Sequence, residues 1–290
     1  MSIAILISVH DGIVLAADSA STLALAHPGS APSQMNPVVL SVHNNANKIA
    51  NLYKGFPIGC VAFGAGSIGN VSISTLLKDF RSKITSGQET AFDINSYTME
   101  GVAKLLTDFL MDHANKLPGS APKPSLGILL GGYSSGKSLG EGWMIQIENG
   151  IPKGAVLLRK EDEVGISWGG EGEAIFRLIL GFSPHLPKAL GSVIAPSPSQ
   201  LELDRLAAHL KKALHAPLVF APMPIQDTID LAEFLVHTAI MYSRFTPGAP
   251  SVGGPIEIAA ITKHEGFKWI CRKHYYSKEF NLETRHGDSH

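Results

Sequence analysis

Only two cysteines, Cys60 and Cys271, occur in 290 residues, and they stand far apart. Neither a disulfide framework nor a CxxC metal site is therefore signalled. A dominant charge is also lacking: 24 Lys plus Arg against 25 Asp plus Glu leave a formal net charge of −1. No basic excess points to nucleic acid or to an anionic membrane surface, so neither is expected as a partner. No uninterrupted apolar stretch approaches the roughly 20 residues of a membrane span. The opening "MSIAILISVHDG" has an apolar run without a positive n-region, and a turn interrupts it early, unlike a signal peptide. Charged residues make up 17% against 44% hydrophobic, a balance that favours a heavily buried globule over long disordered segments. A soluble cytoplasmic protein is expected, with residues 2–272 as a single domain and 273–290 as a polar tail.

What is present begins with a hairpin. "SIAILISV" and "IVLAAD" flank His10-Asp11-Gly12, a tight-turn signal. Both strands are apolar at nearly every position, which predicts cover on both faces. A polar, Pro-containing loop is expected over residues 19–47, followed by strands at "KIANLY" and "GCVAFGA". Apolar spacing predicts helices over 71–84 (Ile73, Leu76, Leu77, Phe80) and 96–115 (Val102, Leu105, Leu106, Phe109, Leu110). "LGILLGG", "EGWMIQIEN", "GAVLLRK" and "VGISWGG" read as strands. Helices follow over 173–182, 200–215 and 226–242, and the chain closes with strands at "PIEIAAIT" and "FKWICRK". Two antiparallel sheets stacked face to face, with helix pairs outside, accommodate this order.

The stretch "LGILLGGYSSGKSLGEGW" matches the phosphate-loop pattern G-x-x-x-x-G-K-[ST] at Gly131, Gly136, Lys137 and Ser138. Such a loop works by presenting a helix N-terminus to the phosphates. Here Gly140 and Gly142 disfavour a helix after Lys137, and "WMIQI" favours a strand. The expectation is a hairpin loop, with nucleotide binding as the weaker alternative.

The start of the chain offers a different chemistry. Methionine before a small residue is normally removed, which would leave Ser2 with a free α-amine beside its own hydroxyl. An N-terminal amine has a pKa near 8, so one residue can supply both nucleophile and general base. Folding the hairpin brings Ser2 level with residues 19–21, close to Asp18. Lys48 opens the next strand. A lysine favours an ionised hydroxyl, and a carboxylate would hold that lysine. Each residue also has a plainer reading: Asp18 as a strand-end cap, Lys48 as a solvated surface charge.

The pattern "SIAILISVHDGIVLAADSAST…NKI…GCVAFGAGSIGNVSISTLLKDF" resembles the opening of proteasome β-type subunits, within the N-terminal nucleophile hydrolases. The style is that of bacterial proteasome-like and ancestral β-subunit proteins. The resemblance implies an α+β fold, a four-layer αββα sandwich. It puts Ser2 on the nucleophile, Asp18 on the carboxylate, Lys48 on the lysine and Gly66 of "AGSIGN" on the backbone donor to the oxyanion. It further implies a peptide or amide substrate, no metal or organic cofactor, and a homo-oligomer forming a ring or related assembly. Four features depart from the pattern, one of them a loop between Asp18 and Lys48 that is longer than is typical and would reshape or cover the substrate cleft. The family nucleophile is usually threonine. The G-S-G before the third helix reads Gly170-Glu171-Gly172. Near "SVGGPIE" an aspartate is missing, and Ser251 is a candidate supporting residue if the register shifts by one. A weakly active or inactive assembly protein of this fold, and a small-molecule amidase of the superfamily, are the alternatives.

Overall fold

Asp11-Gly12 turns the chain as its composition predicts. Strands β1 (Ile3–Val9) and β2 (Gly12–Ala17) pair antiparallel with Val9 opposite Gly12. Every residue of both strands is buried, so the continuous apolar pattern does report cover on both faces. The computed structural model describes residues 2–25, 38–194 and 198–273.

After the hairpin come β3 (Ser21–Leu25), β4 (Val38–His43), β5 (Ile49–Asn51), β6 (Ile58–Gly64), β7 (Ser67–Ile68) and β8 (Val71–Ser72). Helices α1 (Ile73–Thr85) and α2 (Met99–Asn115) follow, then β9 (Leu126–Gly132), β10 (Glu141–Glu148), β11 (Ile151–Arg159) and β12 (Gly165–Gly170). The last part contains α3 (Glu173–Leu180), α4 (Leu186–Gly191), α5 (Gln200–Leu214), α6 (Ile225–Phe245), β13 (Glu257–Thr262) and β14 (Gly266–Cys271). Two five-stranded antiparallel sheets result, ordered β12-β1-β2-β13-β14 and β11-β10-β9-β6-β5. The fold is therefore mixed α+β.

Period-2 alternation divides the core. One cluster joins Leu6, Ile13, Leu15 and Ile261 of the first sheet to Val61 and Leu129 of the second. The alternate residues Ile5, Ile7, Val14 and Ile258 pack with Ile175 and Ile179 of α3 and Ile229, Leu235 and Val236 of α6. On the second sheet, Ile58, Cys60, Ile128, Leu130 and Ile145 meet Leu76, Leu77 and Phe80 of α1 and Val102, Leu106 and Leu110 of α2. Helix α1 starts where Ser72 accepts a hydrogen bond from the Thr75 N–H, so the cap and the apolar stripe agree. Full burial of a side chain such as Phe80 stabilises by roughly 1.5–3 kcal/mol.

Two sequence expectations change. Residues 19–47 are not one loop, because β3 and β4 form a separate two-stranded sheet within them. Val39, Val42 and Thr22 supply β-branched residues for that local pairing, which proline and polar neighbours obscure in the sequence. Residues 26–37 lie outside the described residues. Helix α4 is additional, a six-residue element with proline in its first turn. The polar tail from residue 274 onward lies outside the described residues.

The phosphate-loop match forms a hairpin. Strands β9 and β10 pair with Gly132 opposite Glu141, and no helix follows Lys137. Lys137 instead pairs with Glu161 at 3.0 Å, and Lys263 donates to the Ser138 hydroxyl.

Candidate active site

Register in the first hairpin sets the site. Ala4 stands opposite Ala17, so Ser2 continues level with Ser19 at the end of the sheet where Asp18 leaves β2. Asp18 is fully buried, and its carboxylate is held from four directions. Oδ1 accepts from the Ile3 N–H at 3.0 Å and from Lys48 Nζ at 2.5 Å. Oδ2 accepts from the N–H groups of Ala20 and Gly253, each at 3.0 Å. Two of these donors, Ile3 and Ala20, belong to the hairpin, so the carboxylate ties both chain ends together beside Ser2.

Lys48 reaches Asp18 from the other sheet. It immediately precedes β5, and its carbonyl accepts from the Ala62 N–H of β6 at 2.9 Å. Its side chain is 9% exposed. Burial pushes the ammonium pKa down, the Asp18 carboxylate pulls it back up, and Lys273 nearby adds to the lowering. The plainer reading of Lys48 as a solvated surface charge does not hold. Nor is Asp18 a simple strand-end cap, since it binds a lysine 30 residues away.

Ser2 is 4% exposed. Its carbonyl accepts from the Glu171 N–H at 2.7 Å, which fixes its backbone against the end of β12. Gly170 permits this closeness: its φ is +92°, and a Cβ there would lie 1.9 Å from the Ser2 carbonyl oxygen. The segment after β6 brings in Gly66, which is exposed and whose carbonyl accepts from the Ile73 N–H at the start of α1. Ser2, Lys48 and Gly66 line one cavity of about 380 Å³, with Ser21 and Thr22 of β3 on another wall. Thr22 Oγ1 is buried there without a hydrogen-bond partner. Ser251, although buried, lines a different cavity together with Glu171.

Two residues beside this group were not anticipated. Lys273 donates to the Ser19 hydroxyl at 2.5 Å and to the Ala46 carbonyl, and pairs with Glu257 at 3.5 Å. Glu257 Oε2 also faces the Lys48 N–H at 3.4 Å. Burial lowers the Lys273 pKa, and Glu257 opposes the shift. Glu257 could have been noticed as the carboxylate inside the apolar run "PIEIAAIT". Lys273 carries no comparable signal, since it follows an exposed strand end. Among the described residues no cluster of three or more His, Cys, Asp or Glu could hold a metal, and no helix is long and apolar enough to cross a membrane.

Compared with known proteins, the chain matches no family model and no curated protein. Among solved structures it is similar to Anbu (ancestral beta-subunit) from Yersinia bercovieri, at 13% identity over 94% of this chain and 89% of that one, with a TM-score of 0.51. It also aligns with a Gly-1 mutant of Anbu from Hyphomicrobium sp. strain MC1, at 14% identity over 96% and 91% of the two chains, with a TM-score of 0.47. The first likeness is one of fold, and at this identity the relationship is distant.

Proposed function

We propose that the chain is an N-terminal nucleophile hydrolase that cleaves peptide amide bonds, built as a four-layer αββα sandwich over residues 2–272. Once Met1 is removed, the Ser2 hydroxyl attacks the substrate carbonyl and its own α-amine accepts the proton. Lys48 lowers the cost of the alkoxide, and Asp18 positions Lys48. The Gly66 N–H receives the oxyanion of the tetrahedral intermediate. The protonated amine then passes its proton to the leaving nitrogen, and water attacks the resulting ester to release the second product. No metal or organic cofactor takes part.

One observation carries this reading: Lys48, paired with the buried Asp18, lines the same cavity as Ser2 and Gly66. Burial excludes water from the lysine charge, so its effect on a nearby oxyanion is stronger than at a surface. The two free cysteines accord with a cytoplasmic location. Self-association into a ring or related assembly is part of the proposal. It is supported by large apolar side chains that the single chain leaves exposed, such as Phe234 and Phe245 on α6.

A second reading, an assembling protein of this fold with little turnover, is favoured by Glu171 in place of a supporting serine and by Ser251 lining a separate cavity. Labelling separates the two readings. Intact mass and N-terminal sequencing should find Met1 absent and Ser2 unblocked. An electrophilic probe for N-terminal hydroxyl nucleophiles should then modify Ser2, and Ser2→Ala should abolish the modification while the protein remains folded. Retained Met1, or equal labelling of the alanine variant, sinks the hydrolase reading.

A further inference from the structure

The cavity at Ser2 does not end at Lys48. It shares Asn47, Ser74 and Lys78 with a second cavity of about 300 Å³ that lies along the edges of both sheets. Lys78 and Arg81 line it from α1, where with Ser74 they fall at i, i+4 and i+7 and so on one helix face. Lys54 lines it from the turn between β5 and β6, and Arg272 from the end of β14. The Arg272 guanidinium lies 4.9 Å from the centre of the Trp269 ring, which holds it at the groove wall.

The charge of this groove departs from that of the whole chain. Basic and acidic residues nearly balance overall, at 24 and 25. Among the described residues, neither Lys54, Lys78, Arg81 nor Arg272 belongs to an ion pair. Glu257 contributes the wall's carboxylate, but it is 1% exposed and already faces Lys273. Four cations thus converge on a concave surface whose acid is taken. A groove lined by one sign of charge attracts a ligand of the other.

We propose that this groove binds the carboxylates of an acidic peptide, so that glutamate or aspartate side chains beyond the scissile bond direct the substrate to Ser2. The inference rests on amide cleavage at Ser2 for its substrate, and on the groove's own geometry for its charge preference. Its volume of about 300 Å³ and its shared lining with the Ser2 cavity favour an extended peptide over a nucleic acid duplex. Arg and Lys donate in geometries that suit carboxylates, Arg with two parallel N–H groups.

The test separates binding from turnover. Full-length Ser2→Ala protein is titrated with a fluorescein-labelled glutamate-rich octapeptide and with its glutamine counterpart, followed by anisotropy. The acidic peptide should bind at least roughly tenfold more tightly, and the gap should narrow as salt rises from about 0.05 M to about 0.3 M. Lys78→Gln with Arg81→Gln should erase the preference, whereas Lys188→Gln, an exposed charge on α4, should leave it intact. Equal binding of the two peptides overturns the inference, as does a preference that survives the double substitution. Displacement of the peptide by an oligonucleotide of equal charge at lower concentration than by unlabelled peptide also overturns it. If the preference holds while unsubstituted protein cleaves neither peptide, the hydrolase reading fails and the acidic-peptide groove stands.

Discussion

Asp18 binds more donors than a capping residue would use, and this sets what substitution at Lys48 should do. Three backbone N–H groups remain on the carboxylate when the ammonium is removed. Lys48→Met therefore leaves a buried charge partly satisfied, and should cost about 3 kcal/mol, the lower end for breaking a buried pair. Turnover should fall on the order of a hundredfold or more, because the Ser2 alkoxide loses the charge that lowers its cost. Urea unfolding and kinetics on the same samples check both, and a stability loss with unchanged turnover would make Lys48 purely structural. The lowered Lys48 pKa predicts a pH effect. Since burial makes the folded chain release this proton below the unfolded lysine value, turnover should decline on the alkaline side before an ordinary lysine would titrate. Lys48's contribution to stability should rise with pH through that interval, because there the unfolded chain binds more protons. Lys48→Arg keeps its charge throughout. If Lys48 sets the alkaline limb, this variant moves it upward, and an unmoved limb assigns it to another group.

Elements were legible where local pattern and tertiary role agree. The turn at Asp11-Gly12, the stripe of α1 and the hairpin at Gly131–Ser138 each satisfy their own propensity, so a single sequence suffices to place them. The β3–β4 pair was hidden because it packs into neither main sheet and shows no long apolar pattern. Asp18 and Lys48 were legible as candidates from the folding of the hairpin and the strand that follows, and again by resemblance, but Glu257 and Lys273 join them only by tertiary folding. The hairpin shows how local chemistry can mimic a function. Ser134 accepts from the Met99 N–H at the start of α2 at 2.9 Å and donates to Glu141, while Glu141 also accepts from the Trp143 indole. This loop therefore anchors a helix rather than a phosphate. Ser134→Ala should cost about 1–3 kcal/mol by leaving the buried Met99 N–H without its acceptor. Lys137→Ala, which removes an exposed pair, should stay within about 0.5 kcal/mol. ATP or GTP with magnesium should give no saturable rise in Tm, since a ligand of the native state must stabilise it. Micromolar nucleotide binding that Lys137→Ala removes would overturn the hairpin's assignment as structural.

At the scale of the molecule, the candidate site is split between the sheets. Ser2 and Asp18 extend from β1 and β2, whereas Lys48 and Gly66 flank β5 and β6 of the opposite sheet. Their alignment thus depends on how the sheets are seated. Phe63 of β6 sits at that junction: its ring covers Gly127 of its own sheet and Gly169 of β12 opposite, where a Cβ would lie within 2.1 Å and 2.3 Å of it. Those glycines make room for a spacer between the sheets. Phe63→Ala removes it and should cost about 3 kcal/mol, as for a large aromatic deletion. Leu106→Ala on α2, fully buried on the outer face of the second sheet, should destabilise by a similar amount, about 2–5 kcal/mol. The two should differ in turnover. Leu106 lies behind the sheet, so its loss leaves Lys48 and Gly66 aligned with Ser2. Loss of Phe63 lets the sheets settle differently, and a shift of about 1 Å at a reacting centre costs on the order of a hundredfold. Kinetics at a temperature where circular dichroism finds both variants folded should give near-normal kcat for Leu106→Ala and a much lower kcat for Phe63→Ala. Equal losses in the two variants would mean that turnover follows global stability, and that the spacing of the sheets at Phe63 does not set the alignment.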